Sequence, residues 1–172
     1  VIDELSKTQD ATVAYFYCKH GDENRSSFES VARSILAQLL KQNPDLLSYF
    51  HEKANRNDNA VLTSVPVATE MLSTSLRSCS RTFIVIDGLD ECGRPARKQI
   101  TNRFRHLVET LPATEMGSIR CMFVSQEDGM AGEDFHGIPA IRISNRNFGD
   151  IANFAGVWEQ KIIANSRWRV AI

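Results

Sequence analysis

The sequence contains no apolar run near the ~20 residues that a membrane-crossing helix needs. Its opening, Val1-Ile2-Asp3-Glu4-Leu5, lacks the basic start and apolar centre of a signal peptide. Positive charge is not in surplus, because 20 Lys and Arg stand against 21 Asp and Glu, for a net charge of −1. A dedicated nucleic-acid binder needs a basic excess to meet phosphates. Neither a nucleic acid nor a membrane is therefore expected as a partner. Cysteine is scarce: the thiols at 18, 79, 92 and 121 form no Cys-x-x-Cys pair and have no His at zinc-finger spacing. That pattern argues against a structural zinc site and, in a chain large enough to build a core, against a disulfide framework. With 9 Gly and 5 Pro in 172 residues the chain is neither collagen-like nor of low complexity, and 42% hydrophobic residues argue against disorder. What remains is one reduced, cytoplasmic domain, undivided by any repeat or Pro-rich linker.

Apolar runs alternate with helical stripes along the chain. Thr12–Cys18 is short, β-branched and aromatic, and reads as a buried strand. A polar loop, Lys19–Arg25, follows, and Ser26 lies three residues before Glu29, the spacing of a capping box. Phe28, Val31, Ala32, Ile35, Leu36, Leu39 and Leu40 then recur at helical spacing. Asn43-Pro44 closes that helix and opens another with Leu46, Leu47, Phe50 and Ala54, which fades into a polar loop over Asn55–Asn59. A third helix is predicted from Pro66 to about Arg77. The continuous apolar run Thr82–Ile86 predicts a strand covered on both faces, as in a parallel sheet. A helix from about Pro95 to Leu111, a strand at Ile119–Val124, a fourth strand at Ile138–Ile143 and a final helix with Ile151, Phe154, Ala155, Trp158 and Ile162 complete the pattern. Such alternation predicts an α/β fold around a mostly parallel sheet, with Trp158 in its core.

Ligands of open α/β sheets bind at the carboxyl ends of the strands. At one such end, Asp87-Gly88-Leu89-Asp90-Glu91 places three carboxylates within five residues. Asp87 can hold Mg²⁺, a hard cation that takes carboxylate and water oxygens. Asp90 or Glu91 can orient or deprotonate a water. The competing reading makes Asp87-Gly88 a plain turn, with Asp90 and Glu91 favouring the positive end of the next helix.

The string Phe83-Ile84-Val85-Ile86-Asp87-Gly88-Leu89-Asp90-Glu91-Cys92 resembles the extended Walker B motif of NACHT-type signal-transducing (STAND) NTPases, especially the fungal group with a nephrocystin-like N-terminal region. Val13–Cys18, Ser34–Leu40, the strand Ile119–Ser125 at the sensor-1 position, and Asp150-Ile151 are similar to further segments of that family, so the likeness covers nearly the whole chain. It implies a three-layer P-loop NTPase core in a nucleotide-driven switch. Asp87 would then serve Mg²⁺, Asp90 and Glu91 the attacking water, and Ser125 with Gln126 the terminal phosphate of ATP or GTP.

Two departures qualify this picture. Residues 1–172 contain no Gly-x-x-x-x-Gly-Lys-Ser/Thr, the loop whose amides and Lys cradle phosphates. The family places that loop just before a helix like Val1–Leu5. The expectation is one partial domain over 1–172, cut at both ends, without its first strand and phosphate loop. The family also ends its sensor-1 strand in Ser-Arg, where this chain has Ser125-Gln126 and no positive charge. Alone, the chain is then expected to bind nucleotide weakly and to hydrolyse none, with an over-wide cleft and with unpaired backbone beside a gap at Ile119–Val124 that invites self-association or another protein chain. The rival reading is a non-catalytic interaction module derived from such an NTPase. His20, His51, His106 and His136 are scattered, no Ser has a Gly-x-Ser-x-Gly context, and Arg94, Arg97, Arg103 and Arg105 could meet an anionic partner but read more readily as a solvated helix face. The tail 166–172, with Trp168, follows no pattern.

Overall fold

The computed structural model describes residues 1–56, 61–115, 117–143 and 148–165. The chain divides into two compact units, Val1–His136 and Gly137–Ile172. In the first, helix α1 (Ile2–Leu5) leads to strand β1 (Thr12–Tyr17). Helices α2 (Phe28–Gln42), α3 (Leu46–Arg56) and α4 (Val65–Arg77) follow. Then come strand β2 (Thr82–Asp87), helix α5 (Arg94–Glu109), strand β3 (Ile119–Phe123) and the short helix α6 (Ala131–Asp134).

The three strands form one parallel sheet in the order β1-β2-β3. Thr12 pairs with Thr82 and Tyr17 with Asp87 on one side of β2, and Thr82 with Ile119 through Ile86 with Phe123 on the other. The unbroken apolar run of β2 thus marks the central strand. Successive side chains of a strand point to opposite faces. Ala14, Phe16, Ile84, Ile86 and Ile119 therefore share one face, and they join the core stripes of the helices: Phe28, Val31, Ile35 and Leu39 of α2, Leu72 and Leu76 of α4, and Ile100 and Phe104 of α5. Phe28 and Phe104 meet edge to face with ring centroids 6.1 Å apart. On the alternate positions, Tyr15, Tyr17 and Met122 are exposed. The fold is α/β with a parallel sheet and flanking helices, consistent with a P-loop-like core.

Local chemistry moves some boundaries. Ser27, not Ser26, caps α2: its side chain accepts from the Ser30 amide, so the capping box with Glu29 does not form. α3 runs on through Asn55 to Arg56, past the expected fade-out, and the rest of that polar loop, 57–60, lies outside the described residues. β2 and β3 are hydrogen-bonded directly to each other, so no gap separates them, and among the described residues β3 is an outer strand with a single strand partner.

In the second unit, helix α7 spans Phe148–Asn165. The expected strand at Ile138–Ile143 is absent: these residues carry no strand, and Ile141 and Ile143 are exposed. Pro139 removes a ladder donor there, and alternating isoleucines need a neighbouring strand, which the described residues of this unit do not offer. Trp158 is likewise not core. It is 48% exposed and tilts against Phe154, centroids 6.1 Å apart, in a unit whose described residues form no strand to cover it. The tail 166–172 with Trp168, and the side chain of Ile162, lie outside the described residues.

Candidate functional site

The carboxyl ends of the three strands converge on the turn after β2. Gly88 takes the left-handed conformation (φ 73°, ψ 35°) that releases the chain from the strand at little steric cost. A single 3-10 turn, Leu89–Glu91, follows, anchored by the fully buried Leu89. Backbone bonds tie this turn to both neighbours: Cys18 N donates to Asp87 O (2.8 Å) and Leu89 N to Val124 O (3.1 Å).

The carboxylates extend that stapling outwards. Asp90 Oδ1 accepts from the Gln126 amide at 2.9 Å, fixing the chain just past β3. Glu91 Oε2 accepts from the His20 amide at 3.1 Å, fixing the chain just past β1. Asp87, the last residue of β2, is half-buried, and its carboxylate meets no hydrogen-bonding or ion-pairing partner among the described residues. Ser125 donates its hydroxyl to Gln126 O (3.0 Å), and Gln126 is exposed. The structure thus brings Asp90 to Gln126 and keeps Asp87 and Glu91 on the same turn. It does not focus all three carboxylates on one point: among the described residues, no group of three or more His, Cys, Asp or Glu side chains is placed to hold a metal ion.

Two cysteines flank the turn. Cys18 follows β1, Cys92 closes the turn, and both are buried. The neighbouring Cys92 side chain, together with burial, pushes the Cys18 thiol up. The Cys18 side chain, helped by the nearby Arg97 charge and opposed by burial, holds Cys92 below the ordinary thiol value. Burial alone pushes up Cys121, on the core side of β3.

Helix α5 corrects one sequence reading. Arg97 is not on a solvated face: it is 2% exposed and locks the segment after β3 onto the helix. Its Nη1 bonds Asp128 Oδ2 at 2.6 Å, and its Nη2 lies 2.7 Å from Asp134 Oδ2, a charge contact whose angles fall short of a hydrogen bond. Arg94 reinforces the group through Asp134 Oδ1 (3.2 Å) and through Glu133. Burial pushes the Asp134 carboxyl up, but the hydrogen bond from Arg94 and the charges of Arg97, Arg94 and Lys98 outweigh it, so the group stays below the usual range. Asp128 is held low by Arg97 and by the amides of Met130 and Ala131. One signal was available in the sequence: Arg97 stands in register with Ile100, Thr101 and Phe104 on the buried stripe of α5.

The family model described as "Nephrocystin 3, N-terminal" matches residues 1–126, which takes in the whole sheet and the turn after β2. The chain belongs to this family. It is also 29% identical over 100 residues to vegetative incompatibility protein HET-E-1 of Podospora anserina. That match takes in 54% of this chain but only 7% of the relative's length. Both findings fit a NACHT-like, NTPase-related region. Among the described residues no helix is long and apolar enough to cross a membrane.

Proposed function

We propose that residues 1–172 form the Walker B and sensor-1 portion of a signal-transducing, nucleotide-driven switch of the NACHT (STAND) kind. The observation that carries this reading is the unpartnered carboxylate of Asp87 at the carboxyl end of the central parallel strand. A carboxylate left with no protein partner where α/β sheets bind ligands is suited to a hard cation. Mg²⁺ characteristically uses one or two protein carboxylates and completes its shell with water and phosphate oxygens, so a lone Asp87 fits it. When bound, the metal would neutralise charge on the nucleotide phosphates.

In this reading Asp90 and Glu91 act on the attacking water with the oxygens not spent on the Gln126 and His20 amides. Ser125 and Gln126 face the terminal phosphate of ATP or GTP, and Asp90 sets their position through the Gln126 amide. Three carboxylates without a phosphate-cradling loop repel a polyphosphate, and no such loop is encoded in these residues. Turnover is therefore assigned to the complete protein and not to this chain alone. Its four free thiols suit a reducing cytoplasm, and the outer edge of β3 suits self-association or another protein chain.

The test is Mg²⁺-dependent binding and turnover of ATP and GTP by the complete protein, beside Asp87→Asn and Glu91→Gln. Asp87→Asn should lose Mg²⁺-dependent binding at least about tenfold, the effect of losing a charge-assisted contact worth ~1.5–3 kcal/mol. Glu91→Gln should keep binding and lose turnover by about 10²–10⁴-fold, the usual weight of a general base. Unchanged binding in Asp87→Asn would leave the turn reading and a non-catalytic interaction module.

A further inference from the structure

The segment after β3 is held from two directions. Asp90 Oδ1 accepts from the Gln126 amide at 2.9 Å, and a little further on Asp128 Oδ2 accepts from Arg97 Nη1 at 2.6 Å. The other oxygen of Asp128 accepts from the amides of Met130 and Ala131, at 3.0 and 3.1 Å, and so turns the chain into α6. The exposed Gln126 thus stands between an anchor on its own amide, supplied by the turn after β2, and a second anchor supplied by α5.

Arg97 occupies a place where packing alone asks for an apolar residue. It shares the buried stripe of α5 with Ile100, Phe104 and Leu107, and its Nε is buried without a hydrogen-bond partner among the described residues. Taking a guanidinium out of water is costly, and a well-packed apolar side chain often serves stability as well. What an apolar side chain cannot do is fix a point on a neighbouring segment. The guanidinium fork does so, because its two terminal nitrogens reach different carboxylates: Nη1 meets Asp128, and Nη2 lies 2.7 Å from Asp134 Oδ2. Arg94, on the same helix, engages only the far end of the segment, at Glu133 and Asp134.

Resting on the nucleotide-switch reading above, in which Gln126 faces the terminal phosphate, we propose that Arg97 and Asp128 are positioning residues for Gln126. Their ion pair sets the path of residues 126–128 and so the point at which the Gln126 side chain meets a phosphate oxygen. The need for such a device follows from the residue type. A charge acts over a long range, whereas an uncharged amide acts only through hydrogen bonds, which weaken steeply with distance and angle. A displacement of about 1 Å can cost about 10²-fold in rate.

The experiment compares Asp128→Asn, Arg97→Lys and Arg94→Gln in the complete protein. Asp128→Asn keeps an oxygen for the Met130 and Ala131 amides but turns an uncharged amide towards Arg97. Arg97→Lys keeps a cation but cannot span two carboxylates. Arg94→Gln loosens α6 without touching Asp128. The first readout is hydrogen exchange of the Gln126 amide without nucleotide, and the second is kcat and KM per folded molecule. Asp128→Asn and Arg97→Lys should speed the exchange at least about tenfold and lower kcat about 10²-fold with KM for nucleotide unchanged. Arg94→Gln should change neither. Equal effects in all three variants would mark a merely structural network and overturn the proposal, as would unchanged exchange at Gln126. Normal kcat in Asp128→Asn, beside an impaired Asp87→Asn, overturns the positioning role alone. No Mg²⁺-dependent turnover in the unaltered protein, or full turnover in Asp87→Asn, overturns the switch reading and this role with it. Should Asp128→Asn not fold, Arg97→Lys decides the matter.

Discussion

Gln38 of α2 holds both backbone groups of Tyr15 on β1: its Nε2 donates to Tyr15 O at 2.7 Å, and its Oε1 accepts from Tyr15 N at 3.0 Å. One helical turn on, Gln42 does the same for Val13, at 2.9 and 3.2 Å. A side-chain amide carries a donor and an acceptor spaced like those of a peptide group. Four helical residues rise ~6 Å and two strand residues ~6.7 Å, so glutamines at i and i+4 can follow alternate strand residues. The helix thereby closes the outer edge of β1, which would otherwise template another strand.

Replacing both Gln38 and Gln42 with Met should reopen that edge. The packing volume is nearly kept while four backbone groups lose their partners. Each lost hydrogen bond costs about 1 kcal/mol on a half-exposed edge. The double variant should sediment with a concentration-dependent increase in mass beyond that of the unaltered protein. Identical sedimentation and an unchanged urea midpoint would show that the glutamines do not guard the edge.

Arg97→Ala should destabilise the first unit by about 3 kcal/mol, because it leaves the buried Asp134 facing Arg94 and Lys98 alone. Arg97→Lys should recover only part of this, since a single ammonium cannot span Asp128 and Asp134 as the guanidinium fork does. Chemical denaturation of the three proteins gives the comparison, and equal midpoints for Arg97→Ala and the unaltered protein would contradict it.

The same network sets an acid limit. Asp128 and Asp134 are held below their ordinary value of 3.8. A depressed carboxyl contributes stability in full above its unfolded value and loses it as pH falls through the folded one. The contribution should therefore be flat from neutral pH down to about 4 and decline below that. Urea midpoints measured against pH should fall less steeply below about 4 in Asp128→Asn than in the unaltered protein. Parallel curves would assign acid unfolding to other groups.

Gly88→Ala and Gly21→Ala separate conformation from contact. Both glycines have φ near +73°, but only at Gly88 does an added Cβ meet backbone, 3.2 Å from Cys18 O; at Gly21 nothing lies within 4 Å. Gly21→Ala should cost ~1 kcal/mol, the left-handed penalty alone. Gly88→Ala should cost about 2 kcal/mol or more, because the strands on either side hold that carbonyl in place. Equal costs in equilibrium unfolding would show that the Cys18 carbonyl yields freely.

The sequence by itself determined the elements whose signal is local. The apolar runs of β1, β2 and β3, the helical stripe from Phe28 to Leu39, and the break at Asn43-Pro44 all stand where periodicity puts them, because burial of one face is written into the spacing of the residues that form it. The Asp87–Glu91 string was legible for the same reason, as chain chemistry at a strand end. Tertiary structure alone decided which groups these residues meet. Asp90 and Glu91 reach amides 36 and 71 positions away, and Arg97 reaches Asp128 and Asp134 across a whole strand. A charged residue on a buried stripe carries no mark in the sequence of the counter-charge that lets it stay there. Ile138–Ile143 shows the converse: alternation is a statement about faces, but a strand also needs a neighbour to bond, and only the folded chain says whether one is there.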